Sequence, residues 1–174
     1  MTKLVIFDLD GTLLNSLQDL AMSTNYALRQ HGYPTHKLPA FRYFVGNGIN
    51  KLLERALPES ERTEENMLKI REDFVAYYAE HKADFTAPYD GICELLKDLK
   101  RRGMLLAVAS NKYHSATVAL IPEYFGEGLF DFVYGQRDGV PIKPDPTIVF
   151  DIMKEAGVLK DEVLYVGDSG VDMQ

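Results

Sequence analysis

The sequence predicts an α/β fold: a doubly wound parallel sheet with a block of helices inserted after its first strand. Three observations predict it. Short, nearly continuous apolar runs recur along the chain, as in strands buried on both faces of a parallel sheet. Helical periodicities separate the later runs, which gives the strand–helix–strand alternation of βαβ units. The stretch 15–87 carries helical periodicity and no clear strand. Residues 1–14 and 88–174 are therefore read as one sheet-based core, and 15–87 as a separate helical domain.

The strands are expected at Leu4–Phe7, Leu105–Ala109, Phe132–Tyr134 and Val163–Val166. In the helical domain, Leu17, Leu20, Ala21, Thr24 and Leu28 share one helical face. Ile49, Leu52, Leu53, Ala56 and Leu57 share a second, and Met67, Ile70, Phe74, Tyr77 and Tyr78 a third. Breakers at Gly32-Tyr33-Pro34, Gly46-Asn47-Gly48 and Leu57-Pro58-Glu59 separate them. Later, Ile92, Leu95, Leu96 and Leu99 line one face of a helix that ends in Lys100, Arg101 and Arg102 before Gly103. Asp145-Pro146 opens a further helix bearing Ile148, Val149, Ile152 and Met153, which stops at Gly157.

The 174 residues are 46% hydrophobic and 26% charged, an ordinary globular composition. The net charge of -7 repels nucleic-acid phosphates, so no nucleic-acid partner is expected. The single cysteine, Cys93, cannot form an internal disulfide, which fits a reducing compartment. The N-terminal apolar run is too short for a signal peptide, and no run of about 18 apolar residues suggests a membrane span. A cytoplasmic protein, monomeric or homodimeric, is expected.

Four segments carry chemistry. Phe7-Asp8-Leu9-Asp10-Gly11-Thr12 puts two carboxylates just beyond the first strand, where open α/β sheets bind ligands. Val166-Gly167-Asp168-Ser169-Gly170-Val171-Asp172 does the same after the last strand. Either alone reads equally well as a strand-ending turn. Together they bring up to four carboxylates to one crevice, where mutual repulsion calls for a hard divalent cation, Mg²⁺. Ala109-Ser110-Asn111-Lys112 offers a hydroxyl and backbone N–H groups ahead of a helix, either a phosphate seat or a simple helix cap. Lys143, between two prolines' reach in Ile142-Lys143-Pro144-Asp145-Pro146, is either an aimed ammonium or a solvated loop lysine.

These four segments, in this order, resemble the haloacid-dehalogenase superfamily of phosphohydrolases, whose Rossmann-like core opens on the Asp-x-Asp-Gly-Thr run found at Asp8–Thr12. Ser110, Lys143 and Asp168 with Asp172 stand where the other three motifs belong. The helical insert looks like the cap of the superfamily's phosphoglycolate-phosphatase-like branch. The resemblance implies that Asp8 attacks phosphorus to form an aspartyl-phosphate, that Asp10 serves as general acid and then base, and that Lys143 neutralises phosphoryl charge. It implies Mg²⁺ held by Asp8, the Asp10 backbone carbonyl and Asp168, with Asp172 acting directly or through water. Ser110 and the Asn111 backbone would hold the phosphate. Asn47, Arg42 and Lys51 would contact the rest of a small phosphate ester, for which 2-phosphoglycolate is the best single guess.

Family members usually continue with a helix, a strand and a helix after the last motif. The last strand is therefore expected to lack an outer neighbour, and the C-terminal part of the core to be missing. Asn15 stands where many relatives have Asp. His31, His36, His81 and His114 show no zinc-site spacing and are expected at the surface or the edge of the core. Competing readings are a phosphosugar mutase of the same superfamily, a phosphonate hydrolase using Lys51, and a non-catalytic binding or regulatory protein on the same fold. A dehalogenase is disfavoured by Asp10.

Overall fold

A computed structural model describes residues 1–174. The chain forms two compact units, Met1–Leu14 with Pro88–Gln174, and Asn15–Ala87.

The first unit is built on four parallel strands: β1 (Leu4–Phe7), β4 (Leu105–Tyr113), β5 (Phe132–Gln136) and β6 (Val163–Val166), in the order β5-β4-β1-β6. Side chains of a strand alternate between its faces, and β1 divides accordingly. Val5 and Phe7, with Leu106 and Val108 of β4, pack against α5 (Ile92–Arg101) and α6 (His114–Phe125) through Leu96, Leu120 and Ile121. Leu4 and Ile6, with Ala107 and Ala109, pack on the other face against Ile148 and Ile152 of α7 (Thr147–Ala156). A sheet covered by helices on both faces is the Rossmann-like arrangement the sequence predicts. All four β1 side chains are buried, each contributing about 1.5–3 kcal/mol of transfer free energy.

The register positions the site. Phe7 aligns with Val108 of β4 and with Val166 of β6, and Val108 with Val133 of β5. One residue further, Asp8 and Gly167 therefore leave the sheet, with Asp8 next to Ala109, which is still paired with Tyr134. The Asp8 N–H continues the ladder, donating to the Val166 carbonyl at 2.9 Å.

Some local expectations are corrected and others gain detail. Ser110-Asn111-Lys112 belongs to β4, which runs on to Tyr113 through an irregularity in its pairing with β5. As expected of a last strand without an outer neighbour, no residue of β6 is fully buried and Leu164 is exposed, since β6 pairs only with β1. Leu95 is exposed, whereas Leu96 is buried and Ile92 and Leu99 pack, partly buried, against the same core. Lys100, expected at a helix end for its charge, meets both oxygens of Asp131 at 2.8–2.9 Å, and Asp131 also accepts the Leu106 N–H. The helix after Asp145 starts at Thr147, and Asp145 Oδ1 accepts from both its N–H and its hydroxyl.

The second unit packs α1 (Leu17–Gln30), α2 (Phe41–Phe44), α3 (Gly48–Ala56) and α4 (Glu64–His81) around Leu28, Phe41, Leu53 and Ile70. The chain crosses between units through two short strands, β2 (Leu14–Asn15) and β3 (Ala87–Pro88), which pair with each other; periodicity over 15–87 does not register them. Buried Asp19 ties the start of α1 to the end of this unit. Its carboxylate accepts from the Phe85 and Thr86 N–H groups and from the Thr86 hydroxyl, the last at 2.7 Å. No helix of the chain is long and apolar enough to cross a membrane.

Candidate active site

Asp8 is buried at the C-terminal end of β1. Its Oδ1 accepts from Lys143 Nζ at 2.7 Å. Lys143 is itself buried, and also donates to the Ala109 carbonyl at 2.8 Å, to Asp172 Oδ1 at 2.7 Å and to the Tyr165 hydroxyl at 3.0 Å. Four acceptors around three ammonium protons leave the side chain no slack. The aim of this ammonium is set by Asn111, whose side chain accepts the Lys143 N–H and donates to the Lys143 carbonyl. The Asn111 side-chain amide is thus engaged with the lysine loop.

Asp168 and Asp172 approach from the end of β6. One oxygen from each of Asp8, Asp168 and Asp172 lies within 4.8 Å of the others. Two glycines make room for this. Gly11 has φ of 95°, and an added Cβ would sit 2.5 Å from Asp168 Oδ2. A Cβ on Gly167 would sit 2.4 Å from Asp172 Cγ. Thr12 Oγ1 donates to Asp168 Oδ1 at 3.2 Å. Asp172 is held more firmly: Oδ2 accepts from the Ser169 N–H and hydroxyl, and Oδ1 from Lys143 and the Tyr165 hydroxyl.

The electrostatics follow from burial and partners. Burial pushes the Asp8 carboxyl up to about 7; Lys143 opposes that rise, while Asp172 and Asp10 add to it. Burial works against the Lys143 charge, but Asp8, Tyr165 and Asp172 outweigh it and hold the ammonium above its ordinary value. At Asp172 burial is likewise outweighed, by Lys143 and Ser169, so its carboxyl lies below the usual value. Burial raises the Tyr165 hydroxyl, keeping it a neutral donor.

Asp10 meets a second lysine, Lys112, whose Nζ is 3.1 Å from each carboxylate oxygen. Ser110 is buried, and its Oγ accepts the Lys112 N–H at 3.1 Å. Asp8, Asp10, Ser110, Asn111, Lys143, Asp168 and Asp172, from four separate stretches of chain, thus come together. The sequence analysis missed Tyr165, Thr12 and the Lys112 side chain as members of the site.

The donor set suits a hard cation, being all oxygen, and Mg²⁺ characteristically takes one or two carboxylates and keeps several waters. Four carboxylates facing two ammonium groups leave a double negative charge when all are ionised, which one divalent ion neutralises. The residues present fit such an ion. The histidines lie elsewhere: His31 pairs with Asp73, His81 with Asp84, His36 with the Ala56 carbonyl, and His114 Nδ1 accepts the Gly135 N–H.

In the second unit, Asn47 precedes α3 and its Oδ1 accepts from Arg55, which also donates to the Phe44 carbonyl. Lys51 pairs with Glu54 at 2.6 Å on the exposed side of α3, and Arg42 lies in α2.

A covered parallel sheet with carboxylates from two strand ends converging on a lysine defines an α/β protein with an acidic, lysine-bearing crevice at the C-terminal strand ends. Residues 5–174 match the haloacid dehalogenase-like hydrolase family, and the chain belongs to it. It is 38% identical over 181 residues to a phosphoglycolate phosphatase of Pseudomonas syringae pv. tomato, an alignment covering 100% of the chain and 65% of that relative. It is 34% identical to the phosphoglycolate phosphatase of Mannheimia succiniciproducens, over 98% of the chain and 79% of the relative. The crystal structure of a predicted phosphoglycolate phosphatase from Haemophilus somnus superposes with a TM-score of 0.91 at 33% identity, covering 98% of this chain and 79% of that one. The chain spans about two thirds of the length of the Pseudomonas relative, 65%.

Proposed function

We propose that this chain carries the site of a Mg²⁺-dependent phosphatase that hydrolyses a small phosphomonoester through an aspartyl-phosphate on Asp8. The observation that carries the reading is the buried Asp8 carboxylate, 2.7 Å from Lys143 and within one oxygen cluster with Asp168 and Asp172. The names of its relatives favour 2-phosphoglycolate as substrate.

In the first half-reaction an Asp8 oxygen attacks phosphorus, the bond to the ester oxygen breaks, and Asp10 gives its proton to the departing alkoxide. In the second, water attacks phosphorus as Asp10 takes its proton, the bond to Asp8 breaks, and phosphate leaves. Lys143, fixed beside Asp8, offsets phosphoryl charge and the Ser110 hydroxyl holds a phosphoryl oxygen, and these fixed groups stabilise charge that shifts in the transition state. Asp8, Asp168 and the Asp10 backbone carbonyl would hold Mg²⁺. Asp172, with both oxygens already accepting, would act through water. When bound, the ion supplies positive charge to the phosphoryl group.

The helical unit serves as a cap that excludes bulk water. Arg42, Asn47 and Lys51 are assigned to recognition of the substrate beyond its phosphate. The ion pair of Lys51 with Glu54 leaves this residue poorly suited to the Schiff base a phosphonate hydrolase needs. The test is phosphate release from a panel of phosphomonoesters by the full-length protein with Mg²⁺. Activity that disappears in Asp8→Asn and on chelation supports the reading. Turnover persisting in that variant refutes it.

A further inference from the structure

Lys112 has no part in the chemistry described so far, yet it is built into the site. Its side chain is 6% exposed and that of Asp10 15%. A lysine this enclosed is rare unless paired. Its backbone is fixed independently of the pair. The Lys112 N–H donates to Ser110 Oγ, its carbonyl accepts from the Thr117 hydroxyl, and β5 closes on it so tightly that a Cβ on Gly135 would lie 2.5 Å from that carbonyl. The ammonium is thereby delivered to a partner 102 residues away in the chain.

Asp8 and Asp10 are chemically identical side chains on one turn, and the lysine each meets is what separates them. Lys143 takes Asp8 and Asp172, both members of the oxygen cluster. Lys112 takes both oxygens of Asp10, whose carboxylate is outside that cluster. A single ammonium placed evenly between two carboxylate oxygens restrains both the position and the plane of the group.

We propose that Lys112 is a positioning residue that holds the Asp10 carboxylate out of the cation cluster and in place for proton transfer. The inference deepens the phosphatase reading and rests on it. The form Lys112 holds is the carboxylate, the one that takes a proton from water as the water oxygen bonds to phosphorus and the bond to Asp8 breaks. The second half-reaction is therefore the step that suffers most when Lys112 is removed.

The test is rapid-quench kinetics of the full-length protein with Mg²⁺ and p-nitrophenyl phosphate, whose leaving group needs no acid. K112M is expected to lose roughly ten- to a hundredfold in kcat. Its KM falls by about the same factor, so that kcat/KM stays near the wild-type value, and it releases a burst of p-nitrophenol matching the enzyme concentration. K112R restores most of the rate. In an Asp10→Asn background the same substitution changes kcat by less than about threefold, since the two residues act as one unit. A uniformly lower burst amplitude, or an equal loss with Asp10→Asn already in place, overturns the proposal. K112Q replaces K112M if the latter does not fold. A wild-type protein that releases no p-nitrophenol defeats the phosphatase reading instead. The Lys112–Asp10 unit is then judged by thermal unfolding, where additive shifts of the two single variants overturn it and non-additive shifts support it.

Discussion

Asn111 grips Lys143 at both ends of its backbone, accepting its N–H at 2.8 Å and donating to its carbonyl at 3.0 Å, in a buried reciprocal pair. The clamp joins β4 to the lysine loop and fixes the direction from which the ammonium reaches Asp8. Asn111→Ala removes both bonds and leaves a buried N–H and carbonyl without partners. The expected cost is about 2–3 kcal/mol of stability. Because Lys143 loses its aim, phosphate release is expected to fall by roughly tenfold or more. Urea unfolding and steady-state kinetics on the same preparation check both.

Gly11→Ala should act on the cation site rather than on the fold at large. The new methyl would meet the Asp168 carboxylate at 2.5 Å, and the φ of 95° strains any residue with a Cβ. Backbone strain of this kind costs on the order of 1–3 kcal/mol. Displacement of Asp168 should weaken Mg²⁺ binding by about tenfold or more, the scale at which misplaced supporting groups cost metal affinity. Isothermal titration with Mg²⁺ measures it directly.

The elevated Asp8 carboxyl predicts how cation binding depends on pH. Burial raises it from 3.8 to about 7. Below about 7 the group is protonated in the cation-free protein, and the ion must displace that proton. Apparent Mg²⁺ affinity should therefore climb as pH rises from 6 to 7 and level off above it, with proton release on binding that shrinks over the same interval. Titrations in two buffers of different ionisation heat detect the proton. Stability of the cation-free protein has the opposite sign: the folded chain binds a proton that the unfolded chain lacks between about 3.8 and 7, so this group's contribution falls as pH rises through that window.

Asp19 supports the helical unit and lies outside the chemistry. Its buried carboxylate satisfies two backbone N–H groups and a hydroxyl at Phe85 and Thr86. Asp19→Ala leaves those three donors without an acceptor, and a loss of about 3 kcal/mol or more is expected. Chemical denaturation followed by far-UV circular dichroism reads it out.

Strands β1, β4, β5 and β6 were legible because buried parallel strands are apolar along their whole length, and that needs no knowledge of the partner. An apolar run does not itself say how many neighbours flank it, and the edge position of β6, where Leu164 is exposed, was expected from the family resemblance rather than from the run. The acidic turns were legible too, because Asp8 with Asp10 and Asp168 with Asp172 end two different strands, a combination more specific than either turn alone. What stayed hidden is long-range pairing. Lys112 directly follows Ser110-Asn111, so its burial against Asp10 leaves no local trace. Tyr165 sits in an apolar run, and nothing in its neighbours discloses the hydroxyl's contacts with Lys143 and Asp172. Asp19 resembles any acidic residue in a helix's first turn, and its donors are 66 and 67 residues away.

The covalent role of Asp8 is the claim on which the chemistry turns, and trapping the intermediate tests it most directly. Full-length protein with Mg²⁺ and 2-phosphoglycolate is quenched in mid-turnover and reduced with borohydride, which converts an acyl-phosphate to an alcohol. Peptide mass spectrometry should then find homoserine at position 8, with Asp10, Asp168 and Asp172 unmodified. A protein that turns over substrate at full rate with Asp8 unlabelled, or that labels another carboxylate, would contradict the account.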